Sequence, residues 1–505
     1  MKKNNIFLLV VVDIMMNIFS SGCGVKKNNV VSKVVTENNK TYIEVDGKPY
    51  TYVGIQLRTD AFMNCEYKSA SDLEKYFKLV ADCNINTIQL PIDWRDVEID
   101  EDVYDYGVIK TFLDLANKHH LKAEFLWFGT NMCGETHTYH VPDYIVENPV
   151  KYPRYSTDYT GSFHKYYGYL LHLQFGHENL LARETKVAKN IMEYVNKWNE
   201  ENGRPNTLIG IQVHNEPDCF PLWRVGHNQI QVLKDGVQIS EQEARDEVNT
   251  ALNEVGKAFK SGSYRVYTRV NFALANDMND YIESVFNLEG IDIVGDDPHN
   301  NNIDTISYAI NQYKLEGNYP HIAENRAAFE NTNSLILSSF ANGGGYIMYE
   351  IATSQFFIQN SGGGESNPDY GLYKSDLSKR SHTDDVAKFL KLLNDSGYDI
   401  VTRSTDKFKA FNIETNVPQK DYEKTISLND KEYTFKTNSG ALGYLINCDD
   451  YLLVASTKNA SLSNVSSTRV EEGKFVDGNF ISNKQIEQTN QTLSLEEYKI
   501  YKITL

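Results

Sequence analysis

The chain is predicted to be an α/β protein, a (β/α)₈ barrel followed by a smaller antiparallel β-sandwich domain. Three observations predict this. Eight short apolar runs alternate with amphipathic helical stretches between residue 41 and about residue 375, the rhythm of parallel strands and crossover helices. The runs end in polar punctuation, at Gln56, Asp93, Trp127, Asn215-Glu216, Asn271, Asp297, Glu324 and Glu350. Reactive groups gather at the carboxyl ends of barrel strands, whereas a doubly wound open sheet shares only the alternation. From about residue 401 the texture changes to short β-branched and aromatic runs broken by Asn, Asp, Gly and Ser.

The elements follow in order. The first run is Tyr52 to Ile55, followed by a helix with a Ser71/Glu74 capping box and Leu73, Phe77, Val80 and Ala81 on one face. Thr87 to Leu90 is the second run, followed by a helix carrying Ile109, Phe112, Leu113 and Ala116. Ala123 to Trp127 is the third. A long insertion, Gly129 to about Glu178, then interrupts the rhythm; its Tyr- and His-rich composition and length suit a working loop over a site. A helix from Leu180 to Trp198 leads to the fourth run, Leu208 to Val213. The next helix opens with a Ser240/Glu243 capping box. The remaining runs are Tyr264–Val270, Ile291–Val294, His321–Ala323 and Tyr346–Tyr349. Gly343-Gly344-Gly345 lacks a following Lys-Ser/Thr and reads as a tight turn into the eighth run. Residues 376–400 read as a connecting helix, with Val386, Phe389, Leu390 and Leu393 on one face, and 401–505 as the sandwich.

Ahead of the barrel, Lys2 and Lys3 precede an apolar stretch that ends at Ser21-Gly22-Cys23. Residues 1–23 are therefore expected to be a signal peptide. They resemble a bacterial lipoprotein signal, which implies a lipid anchor at Cys23 as the one membrane attachment, with an ordinary cleaved signal peptide or an uncleaved anchor as the alternatives; 24–40 read as a tether. The expected location is exported, on the cell surface or secreted. The six Cys show no CxxC spacing, so neither a zinc site nor a redox pair is suggested. With 50 Lys plus Arg against 68 Asp plus Glu, the net charge of −18 repels phosphate backbones and excludes nucleic acid as an expected partner. Aromatic residues make up 12%, led by 33 Tyr, whose flat faces and polar tips suit sugar rings.

The sharpest local signal is Ile209-Gly210-Ile211-Gln212-Val213-His214-Asn215-Glu216-Pro217, an apolar strand that ends in Asn-Glu-Pro. Cleaving a glycosidic bond needs a carboxylic acid that still holds a proton near neutrality, together with a second carboxyl facing it. Alone, the tripeptide reads as a strand end and helix cap; at the end of the fourth of eight runs, it reads as Glu216 acid/base with Asn215 donating to a sugar hydroxyl. Glu324, which ends the seventh run, is the candidate partner, and Glu350, which ends the eighth, is its rival. Other strand-end residues assigned to substrate are Arg58, Asp93, Trp94, Trp127, Asn131 and Tyr349. His137 and His140 lack the HExxH pattern and read as solvated loop residues.

These residues carry a resemblance. Asn215-Glu216, Glu324 and the third-strand stretch Leu126-Trp127-Phe128-Gly129, Val141-Pro142-Asp143-Tyr144 and Asn148-Pro149 resemble the barrels of glycoside hydrolase clan A. The likeness is greatest to the β-galactosidase families 35 and 42 and their uncharacterised relatives, over residues 41–375. It implies a retaining β-glycosidase, exo-acting and β-galactosidase-like, with Glu216 as acid/base and Glu324 as nucleophile. It implies an oligo- or polysaccharide substrate, no cofactor and no metal. The clan's usual sixth-strand Tyr is replaced by Gly295-Asp296-Asp297-Pro298-His299, so Asp297 or His299 is expected in its place. The alternatives are an endo-β-glycanase on the same barrel and a non-catalytic carbohydrate-binding lipoprotein.

Overall fold

A computed structural model describes residues 29–130, 140–157, 172–219, 232–273, 278–360, 369–413, 422–467, 469–476, 478–487 and 491–505. Cys23, Asn131 and His137 lie outside the described residues. Eight strands close a barrel: β1 Val53–Gln56, β2 Thr87–Ile92, β3 Lys122–Trp127, β4 Leu208–Val213, β5 Tyr267–Phe272, β6 Ile293–Asp296, β7 His321–Arg326 and β8 Gly345–Tyr349. Every neighbouring pair is parallel, and β8 closes on β1 with Tyr346 opposite Val53.

Helices follow the strands, as the alternating pattern predicts: α1 Ala70–Asp82, α2 Gly107–Lys118, α3 Glu178–Glu201, α4 Glu241–Lys260, α5 Asn279–Phe286, α6 Ile303–Gln312 and α7 Thr332–Ala341. The capping box of α4 forms as expected, Ser240 accepting from the Glu243 N–H and Glu243 from the Ser240 N–H. That of α1 forms two residues earlier than expected, between Ser69 and Asp72, because Ser69 is the residue with extended backbone before the first turn. Within the 376–400 stretch, α8 (Thr383–Asp395) lies against the loop after α1, where Asn84 Nδ2 donates to Ala387 O at 3.1 Å. Leu377 N–H and the Thr383 hydroxyl likewise turn back onto the chain, the latter bonding Leu372 O at 2.9 Å.

Side-chain parity sorts the barrel. In β3, Glu124 points inward and Phe125 and Trp127 point out to the helices; in β5, Tyr267, Arg269 and Asn271 share the interior. The interior holds a buried ion pair. Glu124 accepts from Arg269 Nε and from Gln89 Nε2 on one oxygen, and from the Tyr52 and Tyr267 hydroxyls on the other. His321 lies beside Tyr52, and burial, followed by the Arg269 charge, holds its ring well below the usual imidazole range.

At the amino-terminal end, Ser32–Glu37 pairs antiparallel with Lys40–Val45, so part of the stretch expected to be a tether is ordered. Ser32 Oγ donates to Ile209 O and accepts from the Tyr267 N–H, tying this sheet to the starts of β4 and β5.

Beyond α8, a six-stranded antiparallel sheet faces a four-stranded one. In strand Tyr451–Ser456, Leu452 and Val454 join the core between the two sheets, while Leu453 and Ala455 join the barrel's core. The central strands of the larger sheet are therefore buried on both faces, which explains the near-continuous apolar run Leu442 to Ile446. Among the described residues no helix is long and apolar enough to cross a membrane.

Candidate active site

The carboxyl ends of β4 and β7 bring Glu216 and Glu324 together. A carboxylate oxygen of each and a ring nitrogen of His299 all lie within 4.8 Å of one another. The local backbone shows how each acid is aimed. Around Asn215, His214 and Glu216 have φ of 61° and 45°, the left-handed region that costs a non-glycine residue about 1–3 kcal/mol. The strain is held by specific partners. His214 N–H bonds Trp127 O at 3.0 Å, its ring Nε2 meets Glu184 Oε1 at 2.8 Å, and Glu216 N–H donates to Asn271 Oδ1 at 3.2 Å.

Glu184, on α3, organises this corner. It also accepts from Trp127 Nε1 at 2.8 Å and from the Thr130 hydroxyl at 3.2 Å. Gly129 is needed here: its φ is +41°, and a Cβ would lie 2.0 Å from Glu184 Oε1 and 2.5 Å from Trp127 Nε1.

Glu324 reaches the interior through an irregularity. His321 and Glu324 both face inward although three residues apart, which strict alternation forbids; the pairing of β7 with β8 shifts register between Ile322 and Asn325. Glu324 is buried, 6% exposed. Its Oε1 accepts from Gln56 Nε2 at 2.9 Å, and its Oε2 lies 3.8 Å from His299 Nε2.

Asn215 Oδ1 accepts from Gln212 Nε2 and Asn271 Nδ2, each at 3.0 Å, which leaves its amide nitrogen on the other side. Asn271 also donates to Asp297 Oδ2 at 2.6 Å. His299 packs edge-on against Tyr349, with ring centroids 5.6 Å apart. Tyr349 OH accepts from Arg58 at 3.0 Å, and Arg58 is locked by two bonds to Asp60. Phe357 lies under the same guanidinium, 4.4 Å away. Tyr370 continues the aromatic rim beside Tyr349.

Several assignments are corrected. Trp94 and Trp127 are 0% and 1% exposed and offer no face to a sugar. Their indole N–H groups are bound to Glu98 and Glu184, and Trp127 packs on Phe259 of α4. Both occupy outward-parity positions, between barrel and helices. His140 is not solvated: its Nδ1 lies 2.6 Å from Asp93 Oδ1, and both side chains are buried. Burial of the ring opposes its charge, and the Asp93 carboxylate outweighs that, holding His140 above the usual imidazole range. Asp93 also accepts from Asn64, which bonds Asp96 as well; burial, followed by the Asp93 charge, pushes Asp96 up to about 7. Asp93 is thus engaged with protein groups. Glu350 is fully buried; burial of the Tyr76 hydroxyl on α1, followed by the Glu66 and Glu350 charges, pushes that hydroxyl up.

Sequence reasoning missed Gln56 and Asn271 as site residues although both end strands, and it missed His140 and Glu184. The first two carried a signal, polar residues at inward parity in apolar runs. His140 and Glu184 carried none, because their partners are distant in sequence.

A family model described as "Domain of unknown function (DUF4978)" matches residues 247–418. No curated protein matches the chain. Among solved structures, the exo-beta-1,4-mannosidase Op5Man5 from Opitutaceae bacterium strain TAV5 is similar at 14% identity and a TM-score of 0.47, over 68% of this chain and 60% of that one. A polyextremophilic beta-galactosidase from the Antarctic haloarchaeon Halorubrum lacusprofundi is similar at 12% identity and a TM-score of 0.45, over 68% of this chain and 58% of that one. The chain therefore spans less than two thirds of the length of either enzyme.

Proposed function

We propose that the chain is a retaining glycoside hydrolase acting on β-linked sugars, with Glu324 as nucleophile and Glu216 as general acid/base. The observation that carries this is that an oxygen of each of the two carboxyls lies within 4.8 Å of the other at the ends of β7 and β4, close quarters that suit direct attack better than an intervening water. Retaining enzymes keep their carboxyls about 5–5.5 Å apart, and inverting ones about 6.5–9.5 Å to admit a water. In the first step a Glu324 oxygen bonds to the anomeric carbon as the glycosidic C–O bond breaks, and Glu216 gives its proton to the departing oxygen. In the second, Glu216 takes a proton from water, whose oxygen displaces Glu324. Gln56 bonds the nucleophile, and Asn215 is the residue assigned to a hydroxyl beside the reacting carbon.

Exo action on terminal sugars, with β-galactosides as the first substrates to try, is the finer reading. It draws support from the insertion after β3, whose strand Ser156–Thr157 pairs with Val232–Lys234 after β4 and builds up one side of the mouth.

The test is turnover of a panel of chromogenic β-glycosides by wild type, Glu216→Ala and Glu324→Ala. The expected result is turnover of one sugar, lost in both variants, with azide rescuing Glu216→Ala as a β-glycosyl azide and Glu324→Ala as an α-azide. Absence of turnover on every glycoside and polysaccharide tried overturns the proposal and favours a carbohydrate-binding barrel.

A further inference from the structure

Asp297 takes no part in the displacement just described, yet it occupies the centre of the site. It follows β6 directly and is 4% exposed. Its Oδ2 accepts from Asn271 Nδ2 at 2.6 Å, while its Oδ1 is buried with no hydrogen-bond partner among the described residues. Asn271 connects it to the reacting groups. That amide nitrogen also donates to Asn215 Oδ1, and the amide oxygen accepts from the Glu216 N–H. The Asn271 side chain therefore has both ends committed, its nitrogen between two acceptors and its oxygen on the strained Glu216 backbone. Asp297 and Asn215 are the acceptors, and the Glu216 N–H the donor, that together make this orientation and not the flipped one the bonded one.

We propose that Asp297 is a positioning residue for the Glu216–Glu324 pair, and that it works as a neutral, protonated acid. The inference rests on the hydrolase reading for what is positioned, but not for the protonation state. Geometry carries it in two ways. An ionised carboxylate offers only acceptors, and here one oxygen is buried away from every described donor, an arrangement far less costly for a neutral group. The titratable groups that face it are also mostly acids: Glu324 from β7, Glu216 from the end of β4, Asp296 from its own strand, and the Tyr313 hydroxyl beyond α6. His299, two residues on, lies against Glu324. Burial first, and the Glu324 charge next, hold the Asp297 carboxyl well above the usual carboxylate range, and Glu216 adds to this whenever it is ionised. Kept neutral, Asp297 leaves the pocket with one ionised nucleophile and one protonated acid. An ionised Asp297 would add a second negative charge beside Glu324 and drive the side chains apart.

The test compares Asp297→Asn with Asp297→Ala. Asparagine reproduces a neutral acid and keeps an oxygen for Asn271. Asp297→Asn is expected to hold kcat within about threefold of wild type, while Asp297→Ala loses about 100-fold in kcat with little change in KM, the scale of a misplacement of about 1 Å. Equal losses in the two variants, or none in either, overturn the inference. Thermal unfolding from pH 4 to pH 8 reads the protonation state without substrate. Wild type loses stability across that range relative to Asp297→Asn, because its folded state holds a proton on Asp297 that its unfolded state releases near pH 4. The Tm of Asp297→Asn is therefore expected to rise relative to wild type with pH, and a constant or shrinking gap overturns the neutral form. A protein that shows the rising gap but turns over no glycoside fails the hydrolase reading alone. A protein that turns over glycosides with a flat gap fails this inference alone.

Discussion

Replacing Glu124 by glutamine probes the barrel's interior, and the structure sets the size of the effect. The Glu124 carboxylate accepts four hydrogen bonds, from Arg269 Nε, Gln89 Nε2 and the hydroxyls of Tyr52 and Tyr267. Arg269 is buried, and its two terminal nitrogens have no partner among the described residues, so Glu124 supplies its compensation. Arginine does not deprotonate to escape an apolar site. Glu124→Gln keeps the shape, removes the charge and turns one acceptor into a donor facing donors. Losing one member of a buried pair costs about 3–5 kcal/mol. Arg269→Met should cost a similar amount by stranding the carboxylate. Glu124→Gln/Arg269→Met strands neither charge, so its cost should fall short of the sum by about 2 kcal/mol or more. Urea unfolding followed by tryptophan fluorescence suits the measurement, because all four Trp lie in the barrel half of the chain. A loss below about 1 kcal/mol in Glu124→Gln, or additivity in the double variant, would refute the reasoning.

Other positions give sharper local tests. Gly129→Ala drives a methyl into Glu184 and imposes φ of +41° on alanine; a loss of about 2–5 kcal/mol by chemical denaturation is expected, together with a fall in activity, and an unchanged midpoint would show that the loop relaxes freely. Asp296 is buried, and burial, followed by the Asp218 charge, pushes it up to about 7 from 3.8. Its folded pKa is raised, so its contribution is fully present below about pH 4 and lost as pH rises through 7. Asp296→Asn should therefore stabilise the protein at pH 8, by up to about 4 kcal/mol, and by little at pH 4; equal effects at the two pH values would contradict this. The His140–Asp93 pair has the same sign. His140 is raised, so the pair stabilises fully below the unfolded value near 6.5 and is lost as pH climbs through the higher folded value. Asp93→Asn should cost about 3–5 kcal/mol at pH 6 and less at pH 9, and a pH-independent loss would place the pair's value elsewhere.

The barrel was legible because its strands are short, largely apolar runs and its helices are apolar on one face, so the two periods alternate visibly from Val53 to Tyr349. The catalytic candidates were legible because Glu216 and Glu324 interrupt apolar runs at the mouth. Parity separates the strand-end side chains that face the barrel interior from those that face the helices. Asp93 and Trp94 are adjacent, but only Asp93 shares the inward parity of Gln89; Trp94 follows Leu90 and Ile92 outward. Trp127 follows Phe125 outward in the same way. Reading polarity at strand ends without parity mixes the two faces. The register shift in β7 works the other way: alternation counted from His321 would have turned Glu324 outward, and only pairing with β8 reveals the extra residue. His140, Glu184 and the Arg269–Glu124 pair were illegible because each depends on a partner between 30 and 145 residues away.

Covalent trapping tests the central claim most directly. Incubating the protein with activated 2-deoxy-2-fluoro-β-glycosides slows breakdown of any glycosyl-enzyme, and peptide mass spectrometry then locates the sugar. The account predicts one sugar per chain, on Glu324, with no label in Glu324→Gln. A label on Glu350, or on no residue while the protein still cleaves β-glycosides, would contradict it.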